Sequence, residues 1–212
     1  EFVGKVKSAN RQVVIGIVGK YTNVHDSYLS ILKSLEHAAP YFGVKVKVKW
    51  IEATDMEDGK ITVEEALKDV DGVIVPGGFG KRGIEGKIAA IKYVRENNIP
   101  YLGLCYGMQL AVVEFARNVC GLKTANTTEV DPDTTCPIID IIPEQKDRLE
   151  KSEMGGTMRL GSYQAKLKDN SLVKKLYGKD VITERHRHRW ELNPEFHKIL
   201  EDNGMLLSGI YE

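Results

Sequence analysis

Ile99-Pro100-Tyr101-Leu102-Gly103-Leu104-Cys105-Tyr106-Gly107-Met108 passes from an apolar run, through a Gly-x-Cys-x-Gly turn, into the helix-like run Met108 to Arg117. A cysteine between two glycines at a strand-to-helix junction is the thiol form of the nucleophile elbow. The glycines permit a turn too tight for a Cβ, and the turn lifts the side chain above the sheet edge. A thiol placed there sits at a helix N-terminus, whose dipole favours the reactive thiolate. The bland alternative is a cysteine that only packs, because free Cys behaves as a small hydrophobe. Two flanking glycines at such a junction favour the nucleophile.

The same rhythm extends outward from the elbow. Val13 to Val18 contains nothing polar and reads as a fully buried strand. Asp26 is placed to cap a helix on which Tyr28, Ile31, Leu32 and Leu35 share a face. Val44 to Ile51 alternates Val with Lys, as a half-covered strand does. A short acidic helix follows at Thr62 to Asp69, then a third strand from Gly72 to Pro76. Ile84, Ile88, Ile91 and Val94 mark an amphipathic helix ending at Asn97-Asn98, and a fourth strand delivers Cys105. This alternation predicts an α/β fold with a doubly wound, mostly parallel sheet flanked by helices, its site beyond the C-terminal ends of the strands.

After Gly121 the pattern changes. Asn126 to Asp133 is polar and turn-rich, Pro137 to Pro143 is a short apolar strand, and Lys146 to Gly156 is a charged loop expected to be mobile. Met158 to Leu167 and Val181 to Trp190 read as further strands, so a few antiparallel strands are expected in the C-terminal third. No linker separates a second domain.

Composition narrows the function classes. The 212 residues suffice for one large domain with a substantial core. Thirty basic residues balance thirty acidic ones, so no net field draws the chain to nucleic acid or an anionic membrane. No apolar run approaches the roughly 18 residues that span a bilayer, and Glu1 to Ser8 lacks the apolar centre of a secretory signal. Cys105, Cys120 and Cys136 are an odd, sparse set without metal spacing, which points to a reducing cytoplasm.

Two further motifs carry chemistry. Pro76-Gly77-Gly78-Phe79-Gly80 ends the third strand, and its glycines leave backbone N–H groups able to point into a site, as an oxyanion hole requires. Alone it would read as an ordinary strand-to-helix turn; beside the elbow, the oxyanion hole is favoured, with the Tyr106 amide as second donor. Arg185-His186-Arg187-His188-Arg189-Trp190, if extended, puts three arginines on one face and His186, His188 and Trp190 on the other. An arginine face suits a carboxylate or phosphate, although a solvated charged strand is the plainer reading. No acidic or cysteine partners recur near the two histidines, so no metal site is expected. Gly16 to Lys20 has the wrong spacing for a phosphate loop, with Val14 and Tyr21 where Gly and Ser or Thr are needed. His25, His37 and His197 have no recognisable partner, and Cys120 and Cys136 read as packing residues.

Taken together the motifs resemble the glutaminase domain of CTP synthases, a branch of the class I glutamine amidotransferases, from about Val13 onward. The resemblance rests on Gly19-Lys20-Tyr21-Thr22 with Asp26-Ser27-Tyr28, on Pro76 to Gly80 with Arg82-Gly83, and on Gly107-Met108-Gln109. It continues through Ala125 to Glu129, Gly155 to Gly161, and Glu184 to Arg189 with Asn193-Pro194. The family makes CTP from UTP with ATP and with ammonia cut from glutamine. The resemblance implies that Cys105 attacks the side-chain amide of L-glutamine, giving a thioester and ammonia. It places Gly78 and Tyr106 where the oxyanion is stabilised, and makes Gly107, Met108 and Gln109 part of the glutamine-contacting stretch. Glu129 matches the acid that holds the substrate ammonium, and Arg189 the arginine of the glutamine site. It implies GTP as activator, with Phe79 and Arg185 as contacts, and no cofactor in this domain, since ATP and Mg belong to the synthase domain. The partner is that amidoligase domain, in a cytoplasmic homo-oligomer, a tetramer as the full enzyme.

Three departures qualify these expectations. Tyr106 replaces the leucine usual after the nucleophile. Residues 1–12 read as a linker remnant from a preceding synthase domain, and 13–212 as an amidotransferase domain that is C-terminally incomplete. The family's general base lies in a His-Pro-Glu motif that the 212 residues do not contain, so weak glutamine hydrolysis is expected of them. Rival readings are a DJ-1-like cysteine hydrolase, which leaves Glu129 and the Arg185 strand unexplained, and a non-catalytic glutamine-binding or docking module.

Overall fold

The computed structural model describes residues 1–22, 24–141 and 159–211, and its contacts gather into two compact units, Glu1–Glu114 and Phe115–Glu212. In the first unit α1 (Phe2–Ser8) precedes β1 (Arg11–Gly19), whose polar start is exposed and whose last four residues are buried. Helix α2 (Leu29–Ala38) leads to β2 (Val44–Glu52), and the short α3 (Ala53–Glu57) and α4 (Val63–Leu67) lead to β3 (Gly72–Val75). Helix α5 (Ile84–Glu96) then connects to β4 (Tyr101–Gly103), which is followed by α6 (Tyr106–Asn118). The sheet order is β2-β1-β3-β4 with every pairing parallel.

The chain reverses its progress across the sheet between β1 and β3. At such a switch point the loops leaving adjacent strands diverge and open a crevice at the C-terminal edge. The loop after β1 and the Pro76–Gly80 loop after β3 flank this point.

Hydrophobic periodicity fixes the layers. Ile84, Ile88, Ile91 and Val94 of α5 are buried, as are Val73, Ile74 and Val75 of β3 and Ile17 and Val18 of β1. Each such side chain contributes about 1.5–3 kcal/mol by leaving water. β1, apolar from Val13 to Val18, lies inside the sheet, while the alternating β2 forms an edge. Thr62 and Glu65 close a capping box at the start of α4.

Two local expectations are corrected. Asp26 does not cap α2: it lies within a 3-10 turn, His25–Tyr28, and the helix starts at Leu29 without a side-chain cap. His25 has a partner, because its ring stacks on Trp50 at 4.5 Å between centroids and 7° between planes. The indole supplies an apolar face that fixed spacing could not reveal, since Trp50 is on a different element.

In the second unit β5 (Ala125–Thr127) pairs parallel with β6 (Cys136–Ile141), and β6 pairs antiparallel with β9 (Trp190–Leu192). A separate antiparallel sheet has β7 (Arg159–Leu167) between β8 (Val181–His188) and β10 (Gly209–Ile210). The antiparallel strands expected late in the chain are therefore present. Asn126, expected in a turn, instead belongs to β5. The expected charged loop Lys146 to Gly156, and Gly155 to Met158 of the motif ending at Gly161, lie outside the described residues.

Candidate active site

Cys105 stands between β4 and α6 with φ of +52°, a left-handed conformation that L side chains rarely adopt, and its side chain is exposed. A non-glycine residue held there stores on the order of 1–3 kcal/mol of backbone strain. The turn is knit by backbone hydrogen bonds: Leu104 N–H donates to Val75 carbonyl oxygen at 2.9 Å, Gly107 N–H to Leu104 at 2.9 Å, and Gln109 N–H to Cys105 at 3.2 Å.

The flanking glycines act through close approach, while the unusual φ falls on the cysteine itself. A Cβ on Gly107 would stand 2.0 Å from the Val75 carbonyl oxygen, and one on Gly103 would stand 2.6 Å from the Met108 nitrogen. Both are far inside van der Waals contact, so only glycine lets α6 start this close to β3 and β4. Arg95 of α5 grips the buried Glu114 of α6 through Nε at 2.9 Å and Nη2 at 2.8 Å. That fork fixes the helix that carries the elbow.

The Pro76–Gly80 loop lies against the elbow. A Cβ on Gly77 would meet the Cys105 Cβ at 3.4 Å and Sγ at 3.8 Å. Two side chains hold this loop by its carbonyls: Lys20 Nζ donates to Phe79 at 2.6 Å, and the Tyr106 hydroxyl donates to Gly80 at 3.2 Å. Lys20, which has the wrong spacing for a phosphate loop, serves the glycine loop. Tyr106 is 1% exposed, so the ring that replaces the usual leucine is packed beneath the loop. Phe79 is 78% exposed at the loop's tip. Of the stretch expected to contact glutamine, Gly107 and Gln109 are buried and Met108 is exposed.

The second unit holds the other predicted residues. Glu129 is half-buried in the turn after β5, its amide donating to Thr127 Oγ1 at 3.3 Å. Arg189 is half-buried in a bend between β8 and β9. The expected strand to Trp190 therefore breaks. Arg185 and Arg187 share the exposed face of β8 and His186 and His188 the other, but Arg189 and Trp190 leave that alternation because the chain changes sheets. Trp190 Nε1 donates to Thr128 Oγ1 at 3.1 Å, joining the neighbour of Arg189 to the neighbour of Glu129. Arg189 Nε is buried without a hydrogen-bond partner among the described residues, and its guanidinium lies 5.6 Å from the Trp190 ring centroid. His186 stacks on Tyr163, and burial lowers the pKa of both His186 and His188. Among the described residues no cluster of three or more His, Cys, Asp or Glu could hold a metal ion.

The sequence profile of the class-I glutamine amidotransferases matches residues 23–207. The chain belongs to this family. It is 54% identical over 210 residues to a CTP synthase of Thermococcus gammatolerans, spanning 99% of this chain and 38% of that protein. A CTP synthase of Methanosarcina acetivorans is 54% identical over 209 residues, again 38% of its length. The chain thus spans under two-fifths of the length of these relatives. Among solved structures, the glutaminase domain of Trypanosoma brucei CTPS with bound acivicin superposes with a TM-score of 0.85 at 35% identity, over 94% of this chain and 75% of that one. The molecule is an amidotransferase domain of the CTP-synthase type.

Lys87 is a buried charge that no motif marks. It is 2% exposed on α5, where Ile84, Ile88 and Ile91 are also buried. Its spacing, three after Ile84 and four before Ile91, puts a charge on the apolar stripe, which was the available signal. The Lys20–Phe79 and Trp190–Thr128 contacts leave no local period to read, because each joins elements distant in sequence.

Proposed function

We propose that this domain hydrolyses L-glutamine through Cys105, forming a γ-glutamyl thioester and releasing ammonia for the amination of UTP to CTP by an ATP-dependent synthase domain. The observation that carries the reading is Cys105 on a left-handed elbow after β4, with the glycine loop that leaves the neighbouring β3 lying against it.

The sulfur attacks the amide carbon, and the amide oxygen takes the developing negative charge. Backbone amides of Gly78 and Tyr106 receive that charge; a lost donor of this kind costs about 10²–10³ in rate. The C–N bond then breaks, the proton given up by the thiol leaves with the nitrogen as ammonia, and water cleaves the thioester to glutamate and free thiol. Gly107, Met108 and Gln109 line the glutamine, Glu129 holds its α-ammonium, and Arg189 its α-carboxylate. The unpartnered Nε of Arg189 supports that role, because an ion in a half-buried position is stabilised by an anionic partner. Phe79, exposed at the loop tip, and Arg185, exposed on β8, are assigned to GTP, the activator. ATP and Mg belong to the synthase domain, and the whole enzyme is a cytoplasmic tetramer.

Acivicin is bound in the trypanosomal relative, and reaction of the present protein with it, followed by peptide mapping, tests the assignment. Modification of Cys105 with Cys120 and Cys136 untouched is expected. Burial raises the pKa of both other thiols and leaves them poor nucleophiles. Modification elsewhere, or none, would remove the proposal.

A further inference from the structure

Lys87 is a buried cation without a conventional partner. Its side chain is 2% exposed, and no hydrogen bond or ion pair of the described residues ends on Nζ. The ammonium lies 5.7 Å from the centroid of the Tyr106 ring, and 3.7 Å from where a Cβ on Gly78 would stand. Cys105 lies against Gly77 on the same loop, with Sγ 3.8 Å from where that residue's Cβ would stand. The glycine pair therefore has the nucleophile beside one residue and an ammonium beside the next.

The one acid that attracts Lys87 electrostatically, Glu52, does not offset its burial. Glu52, at the end of β2, already accepts from Thr22 N–H at 3.0 Å, Thr22 Oγ1 at 3.1 Å and, through its other oxygen, Thr54 Oγ1 at 3.1 Å. Burial, and then repulsion by Lys20 on the loop after β1, lower the pKa of Lys87 to about 8 against the attraction of Glu52. Lys87 remains mostly protonated at neutral pH. A buried charge of this kind is expensive unless an anion offsets it.

We propose that Lys87 is an electrostatic positioning residue of the cysteine chemistry, its ammonium behind the glycine loop favouring the Cys105 thiolate and the oxyanion that forms beside Gly78. The role rests on Cys105 being the nucleophile. It is independent of glutamine being the substrate, so the test uses a reagent that needs no substrate pocket.

In alkylation by iodoacetamide the thiol gives its proton to solvent, and the sulfur displaces iodide. Lys87→Met keeps the stem and removes the charge; Lys87→Arg keeps the charge. Lys87→Met should alkylate at Cys105 about tenfold more slowly at pH 7, with the half-maximal pH about one unit higher. Lys87→Arg should recover most of the rate, and both should melt cooperatively. Should Lys87→Met fail to fold, Lys87→Gln serves in its place. A folded neutral variant with the wild-type rate and pH profile would overturn the role of Lys87. A wild-type Cys105 no more reactive than Cys120 would overturn the nucleophile and, with it, that role.

Discussion

The Tyr106 hydroxyl donates a 3.2 Å hydrogen bond to the Gly80 carbonyl, so the residue after the nucleophile also holds the loop opposite it. Removing only this hydroxyl by Tyr106→Phe should cost about 1 kcal/mol of stability. Alkylation of Cys105 by acivicin should slow severalfold, because the loop that meets the oxyanion is no longer fixed. Urea midpoints and acivicin rate constants measured together would check this. An unchanged acivicin rate in a destabilised protein would reduce the bond to a purely structural one.

Glycine at 107 is a steric requirement. Gly107→Ala would press a methyl group 2.0 Å from the Val75 carbonyl oxygen. A loss above about 3 kcal/mol, or failure to fold, is expected. Gly80→Ala is the contrast: φ is +77° but nothing lies within 4 Å of a new Cβ, so about 1 kcal/mol is expected. Equal urea midpoints for the two variants would contradict the close approach of α6 to β3.

Glu114 is 1% exposed and gripped by Arg95. Arg95→Met removes the charged fork from a buried carboxylate and should destabilise by roughly 3 kcal/mol. Replacing both by apolar residues should restore much of that loss, which a double-mutant cycle in urea would measure.

Lys87 gives a pH signature. Its folded pKa, about 8, lies below the ordinary 10.5, so between these values the unfolded chain binds more protons than the folded one. Stability must then rise with pH from about 8 to 10.5, as the buried ammonium becomes neutral, by up to roughly 3 kcal/mol. Below pH 8 the full burial cost is present. Lys87→Met should lack this rise, so the difference between the two proteins should shrink across that window in calorimetric melts.

Much of this was legible in the residues. The all-apolar Val13–Val18 run, the Val-Lys alternation of Val44 to Ile51 and the stripe on α5 gave the parallel sheet, because burial imposes those periods directly. Gly103 and Gly107 marked the elbow for the same reason: their spacing is steric. Long-range partners left no period to read. His25 finds Trp50, Lys20 finds the Phe79 carbonyl, and the strand expected to reach Trp190 breaks at Arg189 because Trp190 pairs with Ile141 in another sheet. Asp26 had the composition of a cap, but an intervening 3-10 turn displaced the helix start.

Arg189 is accessible to a binding measurement. Arg189→Ala should weaken L-glutamine binding, measured by calorimetry, by about tenfold or more, since a charged hydrogen-bonding partner is lost. Unchanged affinity would free Arg189 of the carboxylate.

The most direct test of the central claim is the rate of Cys105 alkylation by iodoacetamide as L-glutamine is added. Glutamine seated on the thiol should suppress alkylation of Cys105 to a saturating limit, and D-glutamine should protect less. A Cys105 alkylation rate independent of L-glutamine at every concentration would contradict a glutamine site at this elbow.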